Sequence, residues 1–190
     1  MDADSDDVAT YSKVPFEWTE ALTLSDEIEC PDMSWTSAKK DEGFLEVVAA
    51  SLAVSLDTLD RARVASWGAI EAARHLLAAV PEWRCSRESH WWKMLNCRGE
   101  AVGFVLPVTY DDVVRGGRPL GTIFHIGVLP AFRGHGYGRV LLREATRTLM
   151  DSGAYRIFCD TDVANAPMIH LFQSEGWTQL PNREAPLLKS

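Results

Sequence analysis

Residues 133–138 read Arg-Gly-His-Gly-Tyr-Gly, and this stretch decides the predicted fold. An apolar strand is predicted before it, over 121–129, and stops at Pro130. An amphipathic helix is predicted after it, over 138–152, with Gly153 as its C-cap. Because glycine lacks a Cβ, such a loop lets several backbone N–H groups converge at the positive end of the helix. The loop is therefore predicted to bind an anion.

Spacing excludes two other kinds of phosphate-binding loop. A Walker-type loop needs Gly-Lys-Ser/Thr, but Gly138 is followed by Arg139 and Val140. A dinucleotide-binding fingerprint needs a third glycine three residues after the second, and Arg139 occupies that position. A simple strand-to-helix turn would need only one or two glycines, whereas this loop has three glycines and an arginine.

Two motifs carry a resemblance to a known family. The pattern Arg-x-x-Gly-x-Gly, preceded by Val128-x-Pro130, resembles the acetyl-CoA signature of the GNAT superfamily of N-acetyltransferases. The stretch 165–177 resembles the second motif of that family, in which an Asn, an apolar pair, Leu-Tyr and Gly-aromatic occur at this spacing. The resemblance covers 101–177, and the preceding residues match in outline only.

The resemblance implies an α/β (α+β) fold with a mixed, mostly antiparallel central sheet. It further implies helices on both faces of the sheet, which is splayed at the acetyl-CoA site. The remaining predicted elements are helices over 39–55, 59–79 and 167–175, strands over 16–22, 91–97, 101–106 and 155–159, and a polar loop over 110–117.

Carried over by position, the resemblance implies that acetyl-CoA is the acyl donor. Backbone N–H groups of 133–138 would bind its diphosphate, and backbone groups of Ile126 and Val128 would pair with the pantetheine arm and polarise the thioester carbonyl. Asn165 would contact the pantetheine region. The residues implied to bind the cofactor are Ile126, Val128, Arg133, Gly134, His135, Gly136, Tyr137, Gly138, Arg139, Asn165 and Phe172.

Acetyl transfer to an amine requires a neutral amine, a polarised carbonyl and a route for the thiolate to leave. His125, on the predicted central strand, is a candidate base because an imidazole exchanges protons near neutral pH, and its alternative role is structural. Asp160 and Asp162, at the end of the next predicted strand, are second candidates. Their alternative roles are helix capping and turn formation ahead of Asn165.

Phe172 stands where many members of the family carry a Tyr that protonates the departing thiolate. A thiol with a pKa of about 8.5 can leave as thiolate without that help. We therefore predict an enzyme that acetylates a primary amine of a small molecule or peptide. The missing hydroxyl leaves one alternative, a non-catalytic acyl-CoA-binding sensor or scaffold module.

Composition limits the remaining possibilities. A chain of 190 residues suits one domain with a sizeable core, and we predict a disordered acidic tail over 1–12 and a single acetyltransferase domain over 13–190. The four cysteines lack zinc-site spacing, so we expect reduced thiols in a cytoplasmic protein and no metal.

Partners are limited by charge and hydropathy. The net charge of -8 disfavours nucleic acid and suits a cationic amine acceptor. No apolar stretch approaches the roughly 20 residues of a membrane helix. A homodimer is kept as an alternative to a monomer.

Overall fold

The computed structural model describes residues 9–19, 32–38, 43–80, 85, 86, 88 and 90–187. Its helices are α1 (Phe44–Leu52), α2 (Thr58–Trp67), α3 (Ala69–Ala78), α4 (Tyr137–Asp151) and α5 (Ala166–Ser174), with a 3₁₀ turn over Pro130–Phe132. Its strands are β1 (Thr10–Thr19), β2 (Met33–Ser37), β3 (Cys85–Ser86), β4 (Lys93–Cys97), β5 (Glu100–Arg115), β6 (Arg118–Val128), β7 (Arg156–Asp162), β8 (Thr178–Gln179) and β9 (Arg183–Pro186).

Within these described ranges, nine strands form one mixed sheet. The strand order is β2-β4-β5-β6-β7-β1-β8, while β3 pairs with β5 and β9 pairs with β1. The β6–β7 pair is parallel and the other strand pairs are antiparallel. The predicted mixed, mostly antiparallel sheet is therefore confirmed.

Glycines on β5 and β6 allow helices to pack closely on both faces of the sheet. A Cβ on Gly103 would overlap the carbonyl oxygen of Gly127 and lie 2.9 Å from Leu141 of α4. A Cβ on Gly127 would overlap the hydroxyl of Ser51 in α1. Because Gly127 pairs with Phe104, neighbour of Gly103, the two glycines face opposite sides of the sheet. The prediction of helices on both faces is confirmed.

The sheet splays where the two parallel strands meet. β6 and β7 pair only at Leu120–Arg156 and Gly121–Ile157, although both strands continue beyond these residues. The gap between the strands therefore widens toward the end of β6. The predicted splay near Ile126 to Val128 is confirmed.

Helix α4 has the predicted amphipathic pattern. Leu141, Leu142, Ala145 and Leu149 are completely buried. The helix ends at Asp151, and Gly153 follows with a positive φ of 84°, the conformation of a glycine C-cap.

Two predicted elements differ from the structure because of glycines. The helix predicted over 59–79 is two helices in the structure. Gly68, with a non-helical φ of 77°, separates α2 from α3. The polar loop predicted over 110–117 is wrong, since β5 continues to Arg115. Gly116 and Gly117, with φ values of 59° and 77°, form a two-residue hairpin turn in which both residues need a positive φ.

The tail boundary predicted at residue 12 is too late in the chain. β1 begins at Thr10, because residues from Thr10 to Lys13 pair with β9. Residues 1–8 of the predicted tail lie outside the described residues. The strand predicted over 16–22 is confirmed through Thr19, and 20–22 lie outside the described residues.

We predict that Gly103→Ala lowers the free energy of unfolding by about 1–3 kcal/mol, because the added methyl group must displace a backbone carbonyl and Leu141. Urea denaturation of the purified variant measures the change. Glu100→Ala, at the exposed start of the same strand, is the control and should change stability by less than about 0.5 kcal/mol. Equal stability of the two variants would show that the sheet accommodates a Cβ at this position.

Candidate active site

The glycine-rich loop presents backbone amides at the beginning of α4. Gly134 and Gly136 have φ values of 79° and 84°, which glycine adopts without strain. Gly136 is the N-cap of α4 and offers no capping side chain. The amides of Gly134, His135, Gly136 and Gly138 donate no hydrogen bond to another described residue. Together with the helix dipole, these amides make a site suited to an anion such as a diphosphate.

The three glycines of the loop have different surroundings. No atom lies within 4 Å of the position a Cβ would take on Gly134 or Gly136, so the space beside them is open. A Cβ on Gly138 would lie 3.2 Å from Leu171 of α5. The first two glycines leave room for a ligand, and the third allows α5 to pack against the loop.

Side chains of the loop bond within the protein. The Nδ1 atom of His135 lies 2.9 Å from the carbonyl oxygen of Arg133, and the hydroxyl of Tyr137 donates to Cys97 Sγ at 3.2 Å. These two predicted cofactor residues therefore contribute to the loop chiefly through their backbone.

The open edge of β6 carries the backbone groups of Ile126 and Val128. The amide of Leu129 donates to the carbonyl of Val102 at 2.9 Å, so this residue faces β5. Backbone groups alternate in direction along a strand. Those of Ile126 and Val128 therefore point away from β5, into the gap beside β7, where an extended chain could pair with them.

The side chains of Arg133 and Arg139 have protein partners. Arg133 donates from Nε to the carbonyl oxygen of Val128 at 3.1 Å and from its terminal nitrogens to that of Val54 at 3.5 Å. Arg139 forms an ion pair with the buried Glu175, with an Nε–O distance of 2.6 Å. Both guanidinium groups flank the loop, and the charge of Arg139 is paired with a carboxylate whereas Arg133 donates to neutral carbonyl oxygens.

Asn165 and Phe172 have structural roles on α5. Asn165 is the N-cap, and its side chain accepts a hydrogen bond from the amide of Met168. Phe172 is 2% exposed, stacks on Phe16 with ring centroids 4.7 Å apart, and meets Trp177 edge-on with centroids 4.9 Å apart. This ring belongs to the aromatic core, so little of its surface is left for a ligand.

A β-bulge sets the direction of His125. His125 pairs with Leu106 and Ile123 pairs with Pro107, so Phe124 is an extra residue on β6. The imidazole stacks on Phe104, with the ring planes 7° apart and the centroids 5.7 Å apart. His125 therefore lies on the face of the sheet that packs against α1, four residues beyond the last β6–β7 pair.

Asp60 was not a candidate from sequence and lies next to His125. Its Oδ2 atom is 3.7 Å from His125 Nε2, and the side chains are 6% and 18% exposed. In the sequence, Asp57 and Asp60 give only the signal of a helix N-terminus. No local pattern could connect Asp60 with a histidine so far along the chain.

The carboxylates of Asp160 and Asp162 hold elements together. Asp160 forms ion pairs with Lys13, at 2.8 Å, and with Arg183. Burial alone would lower the pKa of Lys13, but Asp160 and Asp57 outweigh it and raise this pKa above its ordinary value.

Asp162 ties β7 to α2. Its side chain is almost fully buried and accepts hydrogen bonds from the amides of Thr58, at 2.8 Å, and Ala164, at 2.7 Å. Burial alone would raise the pKa of Asp162, but hydrogen bonds from Thr58 and Ala164 outweigh it, and the pKa lies below its ordinary value. These contacts agree with the capping and turn roles weighed for Asp162.

Comparisons with known proteins agree with this geometry. A sequence model of the acetyltransferase (GNAT) family matches residues 56–177, more than half of the chain. Mycothiol acetyltransferase of Catenulispora acidiphila is 30% identical over 78 residues, which are 41% of this chain and 25% of that protein. Streptothricin acetyltransferase of Streptomyces lavendulae is 39% identical over 56 residues, 30% of either chain.

Solved structures share the fold. A GCN5-related N-acetyltransferase from Sphaerobacter thermophilus superposes on 93% of this chain and 51% of its own, with a TM-score of 0.59 and 13% sequence identity. The splayed sheet, the glycine-rich loop and the family match together define an acetyltransferase fold. The chain belongs to the acetyltransferase (GNAT) family. It spans about a quarter of the length of the mycothiol acetyltransferases it matches.

Two further features concern metals and membranes. Within the ranges that the structure describes, no three His, Cys, Asp or Glu side chains are grouped so that they could hold a metal ion. None of the described helices combines the length and the apolar character needed to cross a membrane.

We predict that Asp162→Asn lowers the free energy of unfolding by about 1.5–3 kcal/mol at pH 7, because a charged acceptor of two amide hydrogen bonds is lost. The folded-state pKa of Asp162 is lowered, so its contribution is complete above the unfolded-state value of about 3.9. The contribution is lost as the pH falls through the folded-state pKa, so the difference between variant and wild type should shrink in acid.

Urea denaturation at a series of pH values measures this difference. Glu184→Gln, an exposed carboxylate on β9, is the control and should change stability by less than about 0.5 kcal/mol throughout. A difference for Asp162→Asn that does not change with pH would contradict the role of the ionised carboxylate.

Proposed function

We propose that the protein transfers the acetyl group of acetyl-CoA to a primary amine by direct attack of the amine on the thioester. The observation that carries the proposal is the gap between β6 and β7, which opens beside the glycine-rich loop. Amides suited to an anion lie close to a strand edge that β7 does not pair, which supports the proposal. Acetyl-CoA requires this combination, because its diphosphate is followed by an extended arm with amide groups.

The loop and the strand would hold different parts of the donor. The diphosphate would bind to the amides of Gly134, His135, Gly136 and Gly138. The open space beside the first two of these glycines leaves room for it. The backbone groups of Ile126 and Val128 would pair with the pantetheine arm and polarise the thioester carbonyl. Because Arg133 and Arg139 have protein partners, we assign the diphosphate mainly to backbone amides.

His125 is the base that we favour. It precedes Ile126, whose backbone would lie against the thioester, and it reaches the same face of the sheet as α1. Asp160 and Asp162 are less suited to the role, since the first is held by two cations and the second is buried under two amide donors. In the reaction the amine nitrogen bonds to the carbonyl carbon, the C–S bond breaks, and the proton of the amine passes to the imidazole.

The thiolate would leave without a protein acid. Phe172 has no proton to give, and its ring is buried between Phe16 and Trp177. A thiol is acidic enough to depart as thiolate and to take its proton from water afterwards. The same phenylalanine is the observation that favours the second candidate, a non-catalytic acyl-CoA-binding sensor or scaffold module.

For the acceptor we propose a chemical class only, a primary amine. The two relatives share acetyl transfer in their names and differ in the compound named, so they support the donor more than the acceptor. The net charge of -8 favours a cationic amine of a small molecule or peptide over nucleic acid. A cytoplasmic location remains a prediction, which a localisation experiment can test. The homodimer remains a prediction, which light scattering can test.

We predict that Gly136→Asp abolishes acetyl-CoA binding, because the carboxylate would occupy the open space beside the amides and repel the diphosphate. Gly153→Asp is a matched control at the other end of α4. Both glycines have a φ of 84°, and neither has an atom within 4 Å of its Cβ position, so both substitutions strain the backbone alike. Calorimetry should show lost binding for Gly136→Asp alone, and retained affinity in that variant, if folded, would disprove the donor site.

We predict that His125→Ala lowers kcat by about 10²–10⁴-fold while the affinity for acetyl-CoA stays within about threefold, because a general base acts on the amine and leaves the donor site intact. A thiol-release assay with a panel of amines measures turnover, and calorimetry measures affinity. Glu184→Gln should match the wild type in both assays. If the wild type binds acetyl-CoA and acetylates no amine, the sensor function is favoured instead.

A further inference from the structure

A nearly buried carboxylate faces the imidazole of His125 from α2. The distance from Asp60 Oδ2 to His125 Nε2 is 3.7 Å. The same oxygen accepts a hydrogen bond from the Ser55 hydroxyl at 2.7 Å. A carboxylate with so little contact with water is costly to bury unless polar groups surround it, and the hydroxyl and the imidazole fill that need.

The first turn of α2 is fixed in position, and Asp60 with it. Asp57 caps the helix, and its Oδ1 atom accepts hydrogen bonds from the amides of Leu59, at 2.9 Å, and Asp60, at 3.4 Å. The amide of Thr58 donates to Asp162 on β7. The helix that carries Asp60 is therefore attached to the strand on the far side of the gap.

The imidazole is fixed from the other side. The bulge at Phe124 directs His125 toward α1 and α2, and the ring of Phe104 lies parallel to the imidazole at 5.7 Å. Rotation of the imidazole would remove either its stacking on Phe104 or its proximity to Asp60. Of the pair, His125 is the more exposed, with 18% against 6% for Asp60, so it is the member that can reach a substrate.

We infer that Asp60 is a positioning residue for acetyl transfer and acts through His125. Its carboxylate lies 3.7 Å from Nε2, close enough for its charge to favour a proton on that nitrogen, and thereby selects the tautomer in which Nδ1 carries the lone pair. Nδ1 takes the proton that the amine loses as the C–N bond forms and the C–S bond breaks. The Asp60 charge stabilises the resulting imidazolium. This inference rests on the proposed function of His125 as base.

The kinetic test compares the effects on kcat of substituting two carboxylates at the beginning of α2, Asp60 and Asp57. Asp60→Asn should lower kcat at least about tenfold and leave the KM for acetyl-CoA within about twofold, since the carboxamide can donate to the imidazole and support the wrong tautomer. Asp57→Asn removes the same charge nearby, and asparagine is an equally good helix cap, so kcat should stay within about twofold. Equal losses in both variants would overturn the inference and indicate a general charge effect.

A double-mutant cycle separates positioning from structure. If Asp60 acts through His125, Asp60→Asn should have less than a twofold effect on turnover in the His125→Ala background. An effect as large as in the wild-type background would overturn the inference, because a structural role does not depend on the imidazole.

The tautomer can be measured without turnover. ¹⁵N NMR of the imidazole side chains should show His125 protonated at Nε2 when neutral, and Asp60→Asn should shift it toward the Nδ1–H form. Five histidines are present, and loss of one signal in His125→Asn assigns it. A wild-type Nδ1–H tautomer, or one unchanged by Asp60→Asn, would overturn the inference. An inactive wild type with the Nε2–H tautomer would instead overturn the proposed base and leave the Asp60–His125 pairing standing.

Discussion

Strands β6 and β7 separate after two parallel pairs, and this separation governs how the neighbouring backbone groups are satisfied. Backbone polar groups need partners, and a sheet that opens after two parallel pairs must supply them in other ways, as where the amide of Ile123 donates to Cys159 Sγ at 3.3 Å. The protein closes one part of the gap with its own groups, as Asp162 binds the first turn of α2. Along Ile126 and Val128 the backbone groups point into the gap, where Arg133 donates to the carbonyl of Val128. The fold therefore replaces hydrogen bonds of an ordinary sheet with side-chain contacts beside the gap.

Charge is distributed unequally around this gap. At the beginning of α4, open amides and the helix dipole favour an anion. On the opposite face, Asp60 lies on α2 and Asp160 on β7, where Lys13 is the cation paired with Asp160. One face thus favours anions, and the other favours cations.

The sequence predicted those features that short-range patterns determine. The strand, the glycine-rich loop and α4 follow one another within about 30 residues, and each has its own periodicity or turn signal. The break at Gly68 was not predicted because helical spacing continues across it. The hairpin at Gly116 and Gly117 was not predicted because the surrounding residues are polar. Neither pattern indicates the positive φ angles of these glycines. The pairing of Asp60 with His125 depends on how α2 docks across the sheet, and no local signal encodes it. The packing of Phe172 against Phe16 is of the same kind.

The glycines on β5 and β6 have a consequence for how motion travels through the molecule. At Gly103 and Gly127 the sheet carries no side chain, so Leu141 of α4 and Ser51 of α1 pack directly on its backbone. Side chains absorb small displacements by changing rotamer, and a glycine has no side chain to move. A shift of α4 would therefore act on the backbone of β5 directly, and the pairing of Phe104 with Gly127 connects that strand to the residue on which α1 packs.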